Sequence, residues 1–218
     1  RRPGDDFQLR VTRAGAGACP HLAVRVAVYC GANSGASPRF AEVAMELGER
    51  LARSGVGIVY GGASRGLMGL LADAALAAGG EVVGVLPRSL AHREIAHPNL
   101  SELHIVETMH ERKARIVDLS DAFVVLPGGI GTLDEFLEAF TWAQIGIHSK
   151  PIAILDVDGF YQPLLSHLRG VVKAGFLSQE RLDSLTICPD VDAFLESLSM
   201  DARAATIATR YAALNAES

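Results

Sequence analysis

The stretch Ala122–Glu135, AFVVLPGGIGTLDE, decides how this chain is read. Phe123-Val124-Val125-Leu126 is a short apolar run of the kind that forms a buried strand. It leads into Pro127-Gly128-Gly129-Ile130-Gly131-Thr132 and then into a helical pattern that carries Asp134 and Glu135. Strand, glycine turn and helix start, in that order, aim backbone N–H groups and the positive end of a helix at one point. Such a point holds an anion, most often a phosphate. A carboxylate beside a phosphate site is electrostatically awkward, so Glu135 is expected to face another part of a phosphate-bearing substrate.

The same alternation runs outward in both directions from this unit. Strands are expected at 24–30, 56–60, 81–86, 103–106, 123–126, 152–155 and 185–188. Helices are expected at 38–53, 67–78, 109–120, 132–145, 161–174 and 190–198, with Pro38 placed to start the first and Gly79-Gly80 ending the second. Residues 87–100 read as a loop. Repeated strand–helix units without an internal repeat or linker imply an α/β fold. It is expected to be a doubly wound parallel sheet, Rossmann-like, with helices on both faces in three α/β/α layers and a single domain. Residues 1–21 read as a disordered tail, 22–200 as the domain and 201–218 as a helical or flexible tail. In such a sheet ligands bind beyond the carboxyl ends of the strands, which places the segments after Cys30, Tyr60, Val106 and Leu126 on one rim.

Composition narrows the function classes. The chain has 218 residues, 49% hydrophobic and 21% charged, with a net charge of −5. That is a globular composition, and the acidic balance argues against a general nucleic-acid binder. Cys19, Cys30 and Cys188 are odd in number and lie far apart, which suits a reducing cytoplasm rather than a disulfide framework or a zinc site. No apolar run approaches the roughly 18 residues of a membrane span.

Two nucleotide motifs are excluded by single residues. Read from Gly129, the dinucleotide fingerprint would need a glycine where Asp134 stands. The Gly61–Gly66 turn has Walker A spacing, but Leu67 occupies the place of the lysine. Plain strand-to-helix turns are the structural alternative, and two such turns on one rim count against it. Thr108-Met109-His110-Glu111 has capping-box spacing, so Arg112 and Lys113 are expected in the first turn of a helix, where cations oppose its dipole. That pair makes sense opposite an anion. Acids at helix starts need no function, but Asp134 already supplies that charge, and Glu138 and Thr141 follow Glu135 at three-residue steps. Arg112 and Glu135 begin helices after successive strands and are expected to meet in one cleft. Glu94 lies in the loop after the third strand on the same rim. The histidines lack ligand spacing and read as structural, and Trp142 reads as a core or interface residue.

These residues together resemble the Lonely Guy family of phosphoribohydrolases that activate cytokinins. The resemblance rests on Tyr60-Gly61-Gly62 through Gly66-Leu67-Met68-Gly69, Arg93-Glu94-Ile95, Met109 through Arg112-Lys113, Pro127 through Glu135, and Thr141-Trp142-Ala143-Gln144 with Gly146-Ile147-His148. It covers roughly residues 24–198. It implies hydrolysis of the N-glycosidic bond of a nucleoside 5′-monophosphate, AMP or N6-prenylated AMP, to free base and ribose 5-phosphate. The family's catalytic pair falls on Arg112 and Glu135. Its substrate contacts fall on Glu94, Met109, Arg112, Lys113, Gly128, Gly129, Ile130, Gly131, Thr132, Leu133, Asp134, Glu135 and Thr141. No metal or cofactor is implied. A homodimer or larger assembly is, and the apolar, aromatic face of the Phe136–Ile145 helix suits its interface. Where family members often carry a third glycine this chain has Ala63, which would narrow the approach to the ligand. The lysine decarboxylase label often given to such sequences finds no support, since no cofactor-anchoring context surrounds Lys113, Lys150 or Lys173. A non-catalytic nucleotide or molybdenum-cofactor carrier is the alternative, and would not need Arg112 with Glu135. A DNA-processing protein of related fold fits poorly with the acidic balance.

Overall fold

A computed structural model of the chain describes residues 24–91 and 96–200. The readings of 1–21 and 201–218 as tails, and of Glu94 as a rim residue, lie outside the described residues.

The described strands β1 (Arg25–Tyr29), β2 (Gly57–Tyr60), β3 (Val82–Pro87), β4 (Glu102–Val106), β5 (Ala122–Val125), β6 (Ile152–Leu155) and β7 (Leu185–Cys188) form one sheet. Its order is β4-β3-β2-β1-β5-β6-β7, with every pairing parallel. The chain enters at the centre, winds outward to β4, and crosses back to add β5 on the other side of β1. The switch point is therefore the seam between β1 and β5, paired from Val26 with Ala122 to Tyr29 with Val125. Connections leave this seam in opposite directions and open a crevice above it.

Side-chain alternation along the strands fills two cores, one on each face. Val26, Val28, Val124 and Leu126 face the side covered by α1 (Pro38–Arg53), α2 (Gly66–Ala77) and helical residues 191–200. Ala27, Tyr29, Phe123 and Val125 face α4 (Met109–Leu119), α5 (Ile130–Gln144) and α6 (Gln162–Lys173). Helix α1 has the bounds its sequence predicts. Pro38 sits in its first turn, and the Ser37 hydroxyl accepts from the Arg39 N–H at 3.3 Å.

Four differences from the sequence reading follow from local chemistry. The segment 87–100 is not all loop, because Pro87 still pairs in β3 and Arg88–Ala91 forms a helical turn, α3. Helix α5 begins at Ile130 rather than Thr132, with Gly129 as its cap residue. Asp134 and Glu135 therefore lie in its second turn, and no acidic residue occupies the first. Helix α4 has Thr108 as N-cap and only Glu111 as the acid of its first turn, so Arg112 and Lys113 come just after that turn. A short helix α7 (Gln179–Asp183) also stands before β7, capped by Ser178.

Candidate active site

A cavity of about 480 Å³ opens at the carboxyl ends of β1 and β5. Its walls are the segment after β1 (Cys30 to Gly35), the start of α2 (Leu67, Met68), Met109 and Arg112 of α4, and the turn from Pro127 into α5. The two central loops are tied together, since the Gly31 N–H donates to the Pro127 carbonyl at 3.1 Å and the Leu67 N–H to the Gly31 carbonyl at 3.0 Å.

The turn is shaped by its glycines. A Cβ on Gly128 would collide with the Thr132 hydroxyl and lie 2.6 Å from Thr132 Cβ. Thr132 itself is buried, so Gly128 is what lets the turn fold back over the first turn of α5. Gly129 caps that helix without any side-chain acceptor. The positive end of α5 thus faces the cavity with no side chain neutralising it, which suits a phosphate.

Beside it, Arg112 and Glu135 meet. Arg112 is only 8% exposed, and its Nε donates to the Val85 carbonyl at 3.0 Å. Its Nη1 donates to Glu135 Oε1 in a charge-assisted hydrogen bond, with the Glu135 side chain 13% exposed. The expected convergence of these two residues in one cleft is what the structure has. The pair is nearly dry, so its field acts at higher strength than it would in water. Two neighbouring groups register this. Burial, and secondarily the Glu135 charge, pushes the Tyr29 phenol and the Cys30 thiol well above their ordinary ranges. Cys30 lines the cavity and stays protonated, which removes it as a nucleophile.

The structure sorts the other expected contacts. Met109, Gly128, Gly129, Gly131, Thr132 and Asp134 line the cavity with the pair. Lys113 does not. Its Nζ lies 3.1 Å from Asp134 Oδ2 and 3.0 Å from Glu138 Oε2, clamping α4 to α5. Burial works against its charge, but the two carboxylates prevail and hold its pKa above the ordinary lysine range. Ile130 stands 82% exposed at the rim, and Leu133 faces the core layer beneath. Thr141 is exposed and donates its hydroxyl to the Leu137 carbonyl at 2.7 Å, two helical turns below the cavity. Ala63 is buried in a bridge with Ala96 and does not line the cavity, so it does not narrow it. The capping box is also displaced: Thr108 accepts from the Glu111 N–H, but Glu111 Oε2 reaches the N–H of Glu107 rather than of Thr108.

Sequence reasoning missed one part of the cavity wall. Asn33, Ser34 and Gly35 face the cavity, backed by Phe40 of α1 and Phe160, whose rings meet edge to face at 5.6 Å. The signal was present in part, since Asn-Ser-Gly directly after a central strand is turn chemistry on the functional rim. Phe40 and Phe160 lie 120 residues apart and carry no sequence signal of proximity.

Comparison with known proteins places the geometry. A family model described as possible lysine decarboxylase matches residues 68–198. A protein of Rhodococcoides fascians named cytokinin riboside 5′-monophosphate phosphoribohydrolase is 44% identical over 174 residues, covering 79% of this chain and 88% of that protein. The cytokinin riboside 5′-monophosphate phosphoribohydrolase LOG of Oryza sativa subsp. japonica is 47% identical over 156 residues, 72% of this chain and 64% of that protein. Among solved structures, the molybdenum cofactor binding protein of the phototrophic bacterium Rippkaea orientalis superposes with a TM-score of 0.64 at 21% identity. The match covers 83% of this chain and 98% of that one, a likeness of fold.

Proposed function

The chain belongs to the family of these phosphoribohydrolases, and from that premise we propose that it hydrolyses the N-glycosidic bond of AMP or an N6-substituted AMP, releasing free base and ribose 5-phosphate. The observation that carries this reading is the dry Arg112–Glu135 pair set beside the uncapped start of α5, within one cavity.

The chemistry follows from where charge develops. As the bond from ribose C1′ to the base nitrogen breaks, C1′ becomes cationic and the bonding electrons leave with the base. Water supplies hydroxide to C1′ and a proton to the base. Glu135 stabilises the cation and orients the water or a ribose hydroxyl. Arg112 donates hydrogen bonds toward the departing base or the phosphate. Gly128, Gly129, Gly131 and Thr132 seat the phosphate at the α5 N-terminus, converting remote binding energy into alignment of the scissile bond. Met109 and Asp134 flank the nucleotide, and Glu94 accepts from the base edge. Lys113 acts through the α4–α5 clamp that holds Arg112 opposite Glu135. Residues 22–200 form the catalytic unit.

We also place the active protein in the cytoplasm as a homodimer or larger assembly. The free, buried thiols of Cys30 and Cys188 suit a reducing compartment. No helix among the described residues is long and apolar enough to cross a membrane. Of the aromatic residues expected at that interface, Phe136 and Phe140 stack in the core at 6.0 Å, and Trp142 is half-buried. Ile130 and Leu137 stand outward on α5 beside Asp134 and Thr141, with Ile145 and Ile147 exposed just beyond its end. Sedimentation of Ile145→Asp against the parent chain tests that face.

The deciding experiment is incubation with AMP and with N6-isopentenyl-AMP, followed by chromatography for free base and ribose 5-phosphate. Turnover of either supports the reading, and the ratio of kcat/KM sets the preferred base. Tight binding of both without release of base would make the protein a carrier.

A further inference from the structure

Gly61 follows β2 directly and has an ordinary backbone conformation, unlike its neighbour Gly62 with φ 77°. Nothing in the main chain at 61 therefore requires glycine. The three atoms nearest a Cβ built there all belong to side chains. It would collide with Arg112 Nη2, and would lie 3.1 Å from Met68 Sδ and 3.4 Å from Arg112 Cζ. The guanidinium thus occupies the space that a side chain at 61 would fill. Its remaining edges are fixed by the Val85 carbonyl through Nε and by Glu135 through Nη1.

We infer that Gly61 is a positioning residue for the hydrolysis, acting through Arg112 by leaving open the seat in which the guanidinium lies. The inference rests on the proposed role of Arg112 toward the nucleotide. The colliding atom is the far end of a flexible side chain, so a methyl group at 61 moves the guanidinium rather than the strand. The required shift of about 1 Å separates Nε from Val85 and turns Nη1 away from Glu135; a misplacement of that size costs on the order of 10²-fold in rate. The phosphate seat around Gly128–Thr132 lies on other elements and keeps its geometry.

The test compares the full chain with Gly61→Ala, Arg112→Ala and the double variant, reading adenine release from AMP and the melting temperature of each. In the parent background Gly61→Ala is expected to lower kcat roughly 10²-fold, with KM for AMP changed less than about threefold. In the Arg112→Ala background the same substitution is expected to cost less than about twofold in kcat, and no melting temperature, because the seat is already empty. If Gly61→Ala folds poorly alone, the double variant is expected to fold as well as Arg112→Ala. Wild-type turnover by Gly61→Ala beside an inactive Arg112→Ala would overturn the inference alone. So would an equal penalty from Gly61→Ala in both backgrounds, in rate or in melting temperature. Full turnover by Arg112→Ala would overturn the underlying reading, and the positioning role with it.

Discussion

Replacing Glu135 by glutamine keeps the size and planarity of the side chain and removes its charge, so it separates the two things the carboxylate does. In the resting protein it neutralises a guanidinium that is 8% exposed. Glutamine's amide oxygen still accepts from Arg112 Nη1, and Arg112 Nε still donates to Val85, but the guanidinium charge loses its counter-charge. The loss is the neutralisation of a guanidinium in a nearly dry site, about 3–5 kcal/mol. For a domain of this size that corresponds to a fall in Tm of roughly 6–20 °C. In the proposed reaction the carboxylate faces a cation that exists only as the glycosidic bond breaks. Removing one preorganised group of this type typically costs 10²–10³-fold in kcat, about 2.7–4 kcal/mol. Phosphate binding at the α5 N-terminus is untouched, so KM should stay within a few-fold while kcat and kcat/KM fall together, the pattern of a group that acts in the transition state. The assay is chromatographic release of adenine at AMP concentrations spanning KM, with calorimetric binding of AMP to the variant as control. Turnover within about twofold of the parent chain, or a loss confined to KM, would remove Glu135 from the chemistry.

Other expectations are as direct. Gly128→Ala drives a methyl group into the Thr132 hydroxyl and should weaken AMP binding in calorimetry at least about tenfold, because the start of α5 must move. Lys113→Met removes the bridge to Asp134 and Glu138 but no wall of the cavity. It should lower stability by about 1–2 kcal/mol in denaturant melts, with only a few-fold loss of turnover. His148 donates Nε2–H to the Ala139 carbonyl and accepts the Lys150 N–H on Nδ1, so protonation breaks the second bond. Burial holds its pKa below the ordinary 6.5; the unfolded chain therefore takes the proton first, and this contribution to stability is full above pH 6.5 and lost as pH falls through the folded value. An NMR titration placing the folded pKa of His148 above 6.5 would contradict this. Arg112→Met with Glu135→Leu should melt at or above the temperature of the parent chain while releasing no adenine, which a thermal scan and the same chromatography decide.

Much of the fold was legible because the strands obey a simple rule. Each central strand is apolar on both faces, and side-chain caps at Ser37 and Thr108 mark the starts of α1 and α4. Helix α1, opened by Ser37-Pro38, has its predicted ends. Where the reading slipped, tertiary contacts outvoted local preference. Ile130-Gly131 looks like turn because glycine is a poor helix former, yet both residues are helical, since Gly128 packs directly on Thr132 and starts α5 early. Arg88–Ala91 and Gln179–Asp183 are too short to show a period. In the site, the meeting of Arg112 with Glu135 could be read from topology, because both follow strands that end on one rim. The assignment of Lys113 and Thr141 to the substrate could not be checked that way. One is drawn to Asp134 and Glu138, and the other turns to its own helix backbone. The Phe40–Phe160 contact was invisible because it forms only once α1 and the turn after β6 are packed.

The cost of the central pair bears on what kind of protein this is. The fold is shared with a molybdenum cofactor binding protein at 21% identity, so the fold alone does not distinguish binding a ligand from cleaving it. An ion pair taken out of water is different. Desolvating a guanidinium and a carboxylate costs several kcal/mol per ion, and their attraction offsets this only when geometry is good. Here the site goes further, keeping position 61 free of a side chain so that the guanidinium fits. A scaffold built only to bind could fill the same volume with apolar side chains at no loss of stability. Retaining both charges beside the crevice is what the proposed hydrolysis requires, because its transition state develops charge that a binding site alone never meets.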